Sequence, residues 1–315
     1  MNKRINIVTI GGGTGQFMLL SELKKHPQLD ITTIVVMGDS GGSTGVLRDE
    51  LGVLPPGDIR QALVALSRSE NTLRELFNYR FDSPSLEGHS FGNLFISTLE
   101  KISGSFEHAV KEASKILAIR GQVVPSATES FHIIAENEHG QFIYSEGEID
   151  KHNTEEIKRV FLDRKAATNT AALDAIAQAD IIVYCPGTFF CSLVPHLLLD
   201  NFSDALQQSQ AQKIFCTNLM TTNHFTVEEY VSLFESYAKG SVVDKVIYNN
   251  NWDYPEELQE RYKEKGEYVV KADDLSVLKN IKLCGADLMD RAFAGGLVRH
   301  NAHVLVEKIL ENSRE

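Results

Sequence analysis

Lys3-Arg4-Ile5-Asn6-Ile7-Val8-Thr9-Ile10 runs without a spacer into Gly11-Gly12-Gly13-Thr14-Gly15, and Gln16-Phe17-Met18-Leu19-Leu20-Ser21-Glu22-Leu23 follows. A β-branched apolar strand, a glycine turn and a helix in direct succession aim free backbone N–H groups and a helix N-terminus at an anion. The spacing matches neither common phosphate loop. A dinucleotide fingerprint needs a third glycine where Gln16 stands, and Gly15 comes one residue early. A Walker A loop needs a lysine, and none is present. Gly12, Gly13, Thr14 and Gly15 are therefore candidate phosphate contacts with no base specified. The plainer alternative is a turn that needs only positive φ.

Outward from this loop, the same rhythm recurs. Ile31–Met37, Asp180–Cys185, Lys213–Thr217 and Val242–Tyr248 read as strands, each ending at small or polar residues. Helical patterns separate them at Phe17–Lys25, Ile59–Ser67, Thr72–Arg80, Phe106–Leu117, Thr170–Gln178, Val227–Ala238 and Ala302–Asn312. Near-continuous apolar strands alternating with helices predict an α/β fold, a doubly wound and mostly parallel sheet. Residues 121–165 break the pattern. Phe131–Ala135 and Gln141–Ser145 flank Glu138-His139-Gly140 as a hairpin, and Ile157–Leu162 adds a third strand. This reads as a small β insertion within a single domain spanning 1–315.

The chain has 315 residues, 43% of them hydrophobic and 23% charged, and a net charge of −12. The acidic balance argues against nucleic acid and acidic membrane surfaces as partners. Cys185, Cys191, Cys216 and Cys284 form no CxxC pair and read as reduced core thiols. The start lacks a signal-peptide apolar region, and no run reaches the ~20 apolar residues of a membrane span. A cytoplasmic protein without membrane insertion is expected, with self-association left open.

Ligands in doubly wound sheets sit outside the carboxyl ends of the strands, so the loops there are the candidate site. Asp39, in Gly38-Asp39-Ser40-Gly41-Gly42-Ser43, stands where a dinucleotide fold places its ribose-binding carboxylate. It suits a ribose, a metal ion or an Asx turn. Arg48, beyond it, reaches a phosphate or is a solvated helix arginine. Asp58 is placed as a helix N-cap, with Arg60 in the first turn. His89-Ser90 is not a nucleophile elbow, because no strand precedes it. Asn93, in the next helix's first turn, suits a ribose or base contact. Pro186-Gly187-Thr188 repeats the strand–turn–helix theme, and Thr188 and Ser192 add hydroxyls. Two such loops on one sheet edge suit a diphosphate. Asn218 and Arg299-His300-Asn301 complete the set, Asn301 also fitting a helix cap. No nucleophile–base pair stands out near this cleft.

Gly-Gly-Gly-Thr-Gly (11–15), Asp39-x-Gly-Gly-Ser43, Pro-Pro-Gly-Asp-Ile-Arg (55–60), Gly-His-Ser-Phe-Gly-Asn-Leu (88–94), Pro-Gly-Thr (186–188), Asn-Leu-Met-Thr (218–221) and Arg-His-Asn (299–301) together resemble the YvcK branch of the YvcK/CofD family. The resemblance covers nearly the whole chain and implies a three-layer, Rossmann-like α/β fold. CofD-branch proteins are phospholactate transferases that move a phosphorylated three-carbon unit from a guanylyl diphosphate donor to a deazaflavin. The YvcK branch, the gluconeogenesis factors, is cytoplasmic, binds UDP-sugars, and is linked to cell shape and carbon source. Carried onto this chain, the resemblance puts the diphosphate at Gly12, Gly13, Thr14 and Gly15. Asp39, Asn93, Gly187, Thr188 and Asn218 supply the remaining contacts. Ser43, Arg48, Asp58, Arg60, His89, Ser192 and Arg299 are secondary candidates. Where the family has Asp-Asp, this chain has Asp39-Ser40, which weakens a magnesium site and leaves Asp39 as its one expected ligand. Thr222-Asn223-His224-Phe225 also departs from the family pattern. The reading is a non-catalytic, nucleotide-sugar-binding regulator. The alternatives are a CofD-like transferase and an NAD-binding protein.

Overall fold

A computed structural model of the chain describes residues 4–38, 40–69, 71–151, 157–222, 224–253, 255–291 and 297–311. In chain order it has β1 (Ile5–Gly11), α1 (Gly13–Leu23), β2 (Leu29–Val35), α2 (Gly42–Leu51), α3 (Gly57–Leu66), α4 (Asn71–Asn78), α5 (Phe91–Ser103), α6 (Phe106–Ile116) and β3 (Gln122–Pro125). The insertion follows with β4 (Ile133–Asn137), β5 (Phe142–Tyr144), α7 (Glu146–Lys151) and β6 (Ile157–Leu162). Next come α8 (Thr170–Gln178), β7 (Ile181–Tyr184), a π turn (Phe189–Leu193), α9 (Val194–Leu197), α10 (Phe202–Gln208), β8 (Gln212–Cys216) and β9 (Met220–Thr221). The chain then forms α11 (Val227–Ala238), β10 (Lys245–Asn249), α12 (Glu256–Lys263), β11 (Tyr268–Val269), β12 (Lys282–Ala286) and α13 (Ala302–Leu310).

Seven strands form one sheet in the order β12-β10-β8-β7-β1-β2-β3, and every neighbouring pair is parallel. This is the Rossmann-like α/β architecture that the strand–helix alternation predicts. The order reverses at β1, which lies between β2 and β7. A crevice opens at such a switch point, outside the carboxyl ends of the strands. The two glycine loops leave β1 and β7, so they flank that crevice. The central strands earn their place by composition: Ile7, Val8, Ile10, Ile31, Ile34, Ile182, Val183 and Ile214 are all buried. Parallel strands covered by helices on both faces need that continuity of apolar side chains.

The expected hairpin is present. β4 pairs antiparallel with β5 across a turn in which Gly140 takes φ +76°, and β6 pairs on β4's other edge. One boundary is corrected: β3, read as part of the insertion from residue 121, is an edge strand of the main sheet paired with β2. Ser90 and Asn301 cap their helices, accepting from Asn93 N–H at 3.2 Å and Val304 N–H at 3.2 Å. Asp58 is not the N-cap of α3, because Pro56 occupies that position and Asp58 lies in the first turn.

Candidate functional site

The two glycine loops touch, and glycine is what lets them. A Cβ on Gly15 would stand 2.0 Å from the Pro186 carbonyl oxygen. One on Gly12 would stand 2.4 Å from Asp58 Oδ2 and 2.8 Å from Val36 Cγ1. Gly13 differs: its φ is +64°, and a Cβ there would meet nothing within 4 Å. Gly13 therefore faces open space, as a backbone that receives a ligand must. No side chain caps the N-terminus of α1, so its first N–H groups look into that space.

The cleft encloses about 440 Å³. Gly12–Gly15, Gly187, Thr188, Ser192, Asn218 and Arg299, all candidates from the sequence, line it. Asn218 holds the second loop: its Oδ1 accepts from Gly187 N–H at 2.9 Å and its Nδ2 donates to the Gly187 carbonyl at 2.8 Å. The facing wall brings residues the sequence did not reveal, namely Tyr262, Lys265 and Glu267. Tyr262 Oη accepts from Val298 N–H at 2.7 Å and so fixes the segment that carries Arg299. Burial raises the Glu267 carboxyl, and the charges of Lys265 and Arg299 pull it back. Two cations thus stand beside one acid in a cleft of a strongly acidic protein. His300, in the same wall, is lowered to about 4 by burial, and its Nε2 lies 3.1 Å from the Thr217 carbonyl. A neutral imidazole with the proton on Nε2 donates to that oxygen.

Other candidates form a network that links α2, α3 and α5. Arg60 Nε donates to Asn93 Oδ1 at 3.0 Å. Asn93 Nδ2 donates to Ser43 Oγ at 3.3 Å, and Ser43 Oγ lies 2.9 Å from His89 Nδ1. The serine hydroxyl donates to His89 when the imidazole proton is on Nε2, and accepts from it when the proton is on Nδ1. This hydroxyl–imidazole contact lies away from the glycine-loop cleft, whose lining holds neither residue. Arg60 and Asn93 are buried, so the chain of bonds fixes Ser43, while Ser43 and His89 keep partial exposure. None of the four lines the glycine-loop cleft.

Arg48 is not a solvated helix arginine. It is buried and donates to Ser130 Oγ and the Phe131 carbonyl, both at 2.9 Å, tying α2 to the insertion. Asp39 lies outside the described residues. Its neighbour Ser40 donates its N–H to Glu146 Oε2 at 3.3 Å and accepts from Glu146 N–H at 3.0 Å. The insertion thereby brings a carboxylate to the tip of β2, which no local pattern announced.

The sequence model of the family described as "2-phospho-L-lactate transferase CofD" matches residues 7–292. The chain belongs to the YvcK/CofD family. The "Gluconeogenesis factor" of Bacillus subtilis is 34% identical over 324 aligned positions, covering all of both chains. That of Halalkalibacterium halodurans is 36% identical, over 98% of this chain and 97% of the relative. The crystal structure of protein BH3568 from Bacillus halodurans superposes with a TM-score of 0.92 at 34% identity, covering 98% of this chain and all of the other. Within the family fold, the blocks at 11–15, 186–188, 218–221 and 299–301 contribute residues that line the switch-point crevice. No helix among the described residues is long and apolar enough to cross a membrane.

Proposed function

We propose that this gluconeogenesis-factor relative is a cytoplasmic regulator that binds a nucleotide diphosphate-sugar, with a UDP-sugar as its ligand. It acts as a single CofD-type domain linked to carbon metabolism and cell shape. The observation that carries the reading is the pair of glycine loops at the β1/β7 switch, with Lys265 and Arg299 on the facing wall. Backbone N–H groups at a helix start, an open Gly13 and two cations suit a diphosphate. Together they ask for no reacting side chain. Magnesium would ride mainly on the diphosphate, with Asp39 as its protein ligand. Calorimetry against UDP-sugars, GDP and NAD, with and without magnesium, tests this reading. Saturable binding of a UDP-sugar that outcompetes NAD supports it. Preference for NAD would instead favour a dinucleotide-binding protein.

The second reading is a CofD-like transfer of a phosphorylated group from a diphosphate donor. Two observations favour it: the description of the matching family and the Ser43–His89 contact at 2.9 Å. Phosphoryl chemistry needs positioning and charge neutralisation more than a covalent nucleophile. Enzyme-dependent release of a nucleotide would decide for it.

A further inference from the structure

At the amino ends of β1, β2 and β3, opposite the glycine loops, a second cavity encloses about 730 Å³. Arg4, Arg68, Arg120, Asp30, Gln122 and Gln178 are among the residues that line it. Its charge is the reverse of the protein's. Three guanidiniums face one carboxylate in a chain of net charge −12.

These arginines are unequally satisfied. Arg4 pairs with Asp30 at 2.8 Å, with both side chains largely exposed, an arrangement worth little in water. Arg120 donates to the carbonyls of Lys24 and His26 at the end of α1 and to the Leu29 carbonyl at 3.4 Å. It is thus held rigidly at the cavity wall. Among the described residues, the side chain of Arg68 makes no hydrogen bond or ion pair. Burial lowers the Arg120 guanidinium, and the charges of Arg68 and Arg4 lower it further, against a smaller opposing effect of Asp30. The cluster is therefore electrostatically strained as it stands. Like charges held together around a concave, polar space are relieved by an anion that enters it.

Helix-end capping explains Arg120, and an ion pair explains Arg4. Neither explains why Arg68 stands exposed beside them, nor why the space between is a cavity of small-molecule size. We propose that this cavity binds a small multivalent oxyanion, a phosphorylated or polycarboxylate metabolite, at a site separate from the nucleotide cleft. Guanidinium forks match the paired oxygens of both groups. Gln122, Gln178 and the Thr32 hydroxyl add neutral donors around them. The proposal goes beyond the nucleotide-sugar reading and stands without it.

The test is thermal unfolding of the full chain in inorganic phosphate and in citrate, against chloride at equal ionic strength. A saturable rise in Tm with either anion is expected, since a ligand of the native state raises Tm by mass action. The anion that acts names the source, phosphate ester or polycarboxylate. Arg68→Gln should raise Tm in chloride, because it removes repulsion, and weaken the anion effect by roughly tenfold or more. Gly13→Asp, at the other end of β1, should leave the anion effect intact. Three results overturn the proposal: no saturable response to either anion, a response that survives Arg68→Gln, or one that disappears with Gly13→Asp. A fall in Tm for Arg68→Gln in chloride overturns it too, by showing Arg68 to be a stabilising contact.

Discussion

Asn218 grips the Gly187 peptide from both sides, accepting from its N–H at 2.9 Å and donating to its carbonyl at 2.8 Å. A residue just past the end of β8 thus sets the shape of the loop that leaves its neighbour β7. Each polar end of Asn218 holds the Gly187 peptide, so it places the Gly187–Thr188 backbone for a ligand. Asn218→Asp keeps the acceptor and loses the donor, leaving the Gly187 carbonyl facing a carboxylate. UDP-sugar affinity in calorimetry should fall about tenfold or more, the effect of a lost bond plus repulsion. Asn218→Ala should weaken binding as well. Affinity unchanged in both variants would detach the second loop from the ligand.

Gly13 and Gly15 should fail differently. A Cβ on Gly15 would strike the Pro186 carbonyl at 2.0 Å, whereas one on Gly13 meets no atom within 4 Å. Gly15→Ala is therefore a stability variant, with a lowered Tm as the loops are forced apart. Gly13→Ala carries only the cost of a left-handed conformation, about 1–2 kcal/mol, and its methyl fills the space meant for the ligand. It should stay folded by circular dichroism and lose nucleotide binding. Equal affinity for Gly13→Ala and wild type would move the diphosphate off this loop.

How far this could be read from the sequence follows from where each signal lies. The glycine loops, the central strands and the hairpin rest on local patterns, and the structure has them. β3 and β12 went unseen because they are the two edges of the sheet. The β12 segment Lys-Leu-Cys-Gly-Ala is only half-buried, and an edge strand does not need the continuous apolar run that marks a central one. Lys265 and Tyr262 were missed for a related reason. Their segment, Glu256–Lys263 and the turn after it, is charged and mostly exposed. The Tyr262 contact to Val298 and the pairing of β11 with β9 bring it over the cleft. Ser43 and His89 are 46 residues apart, a pairing that no spacing rule encodes.

His196 should give the protein an acid-sensitive stability. It is wholly buried, and its Nε2 has no hydrogen-bond partner among the described residues. Burial holds it at about 4, against an ordinary 6.5. The unfolded chain therefore binds a proton on this group as pH falls below about 6.5, while the folded chain resists until about 4. Stability is fully present above 6.5 and is lost as pH drops through that window, by up to about 3 kcal/mol from this group. Urea unfolding at pH 7.5, 6.5, 5.5 and 4.5 measures the loss. His196→Phe, which cannot take up the proton and packs against Phe202, should remove about half of the dependence, because His300 is lowered over the same window. An unchanged slope in that variant would assign the acid sensitivity elsewhere.

The protein should not turn over its nucleotide ligand. The family's second acid at the tip of β2 is Ser40 here, and its hydroxyl and N–H are both engaged with Glu146. A magnesium ion at that tip would keep most of its waters and lean on the diphosphate, which favours binding over transition-state stabilisation. The Ser43–His89 pair is the strongest opposing evidence, but it lies outside the lining of the glycine-loop cleft. Its hydroxyl also accepts from Asn93, which ties down a lone pair that a nucleophile would use. Incubation with UDP-sugars, or with a phospholactyl guanosine diphosphate and a deazaflavin, in magnesium should leave the nucleotides intact by chromatography. Release of UMP, UDP or GMP that is lost in Ser43→Ala and His89→Gln would reverse the conclusion. It would make the pair part of a transferase centre, with His89 taking the proton of the attacking hydroxyl.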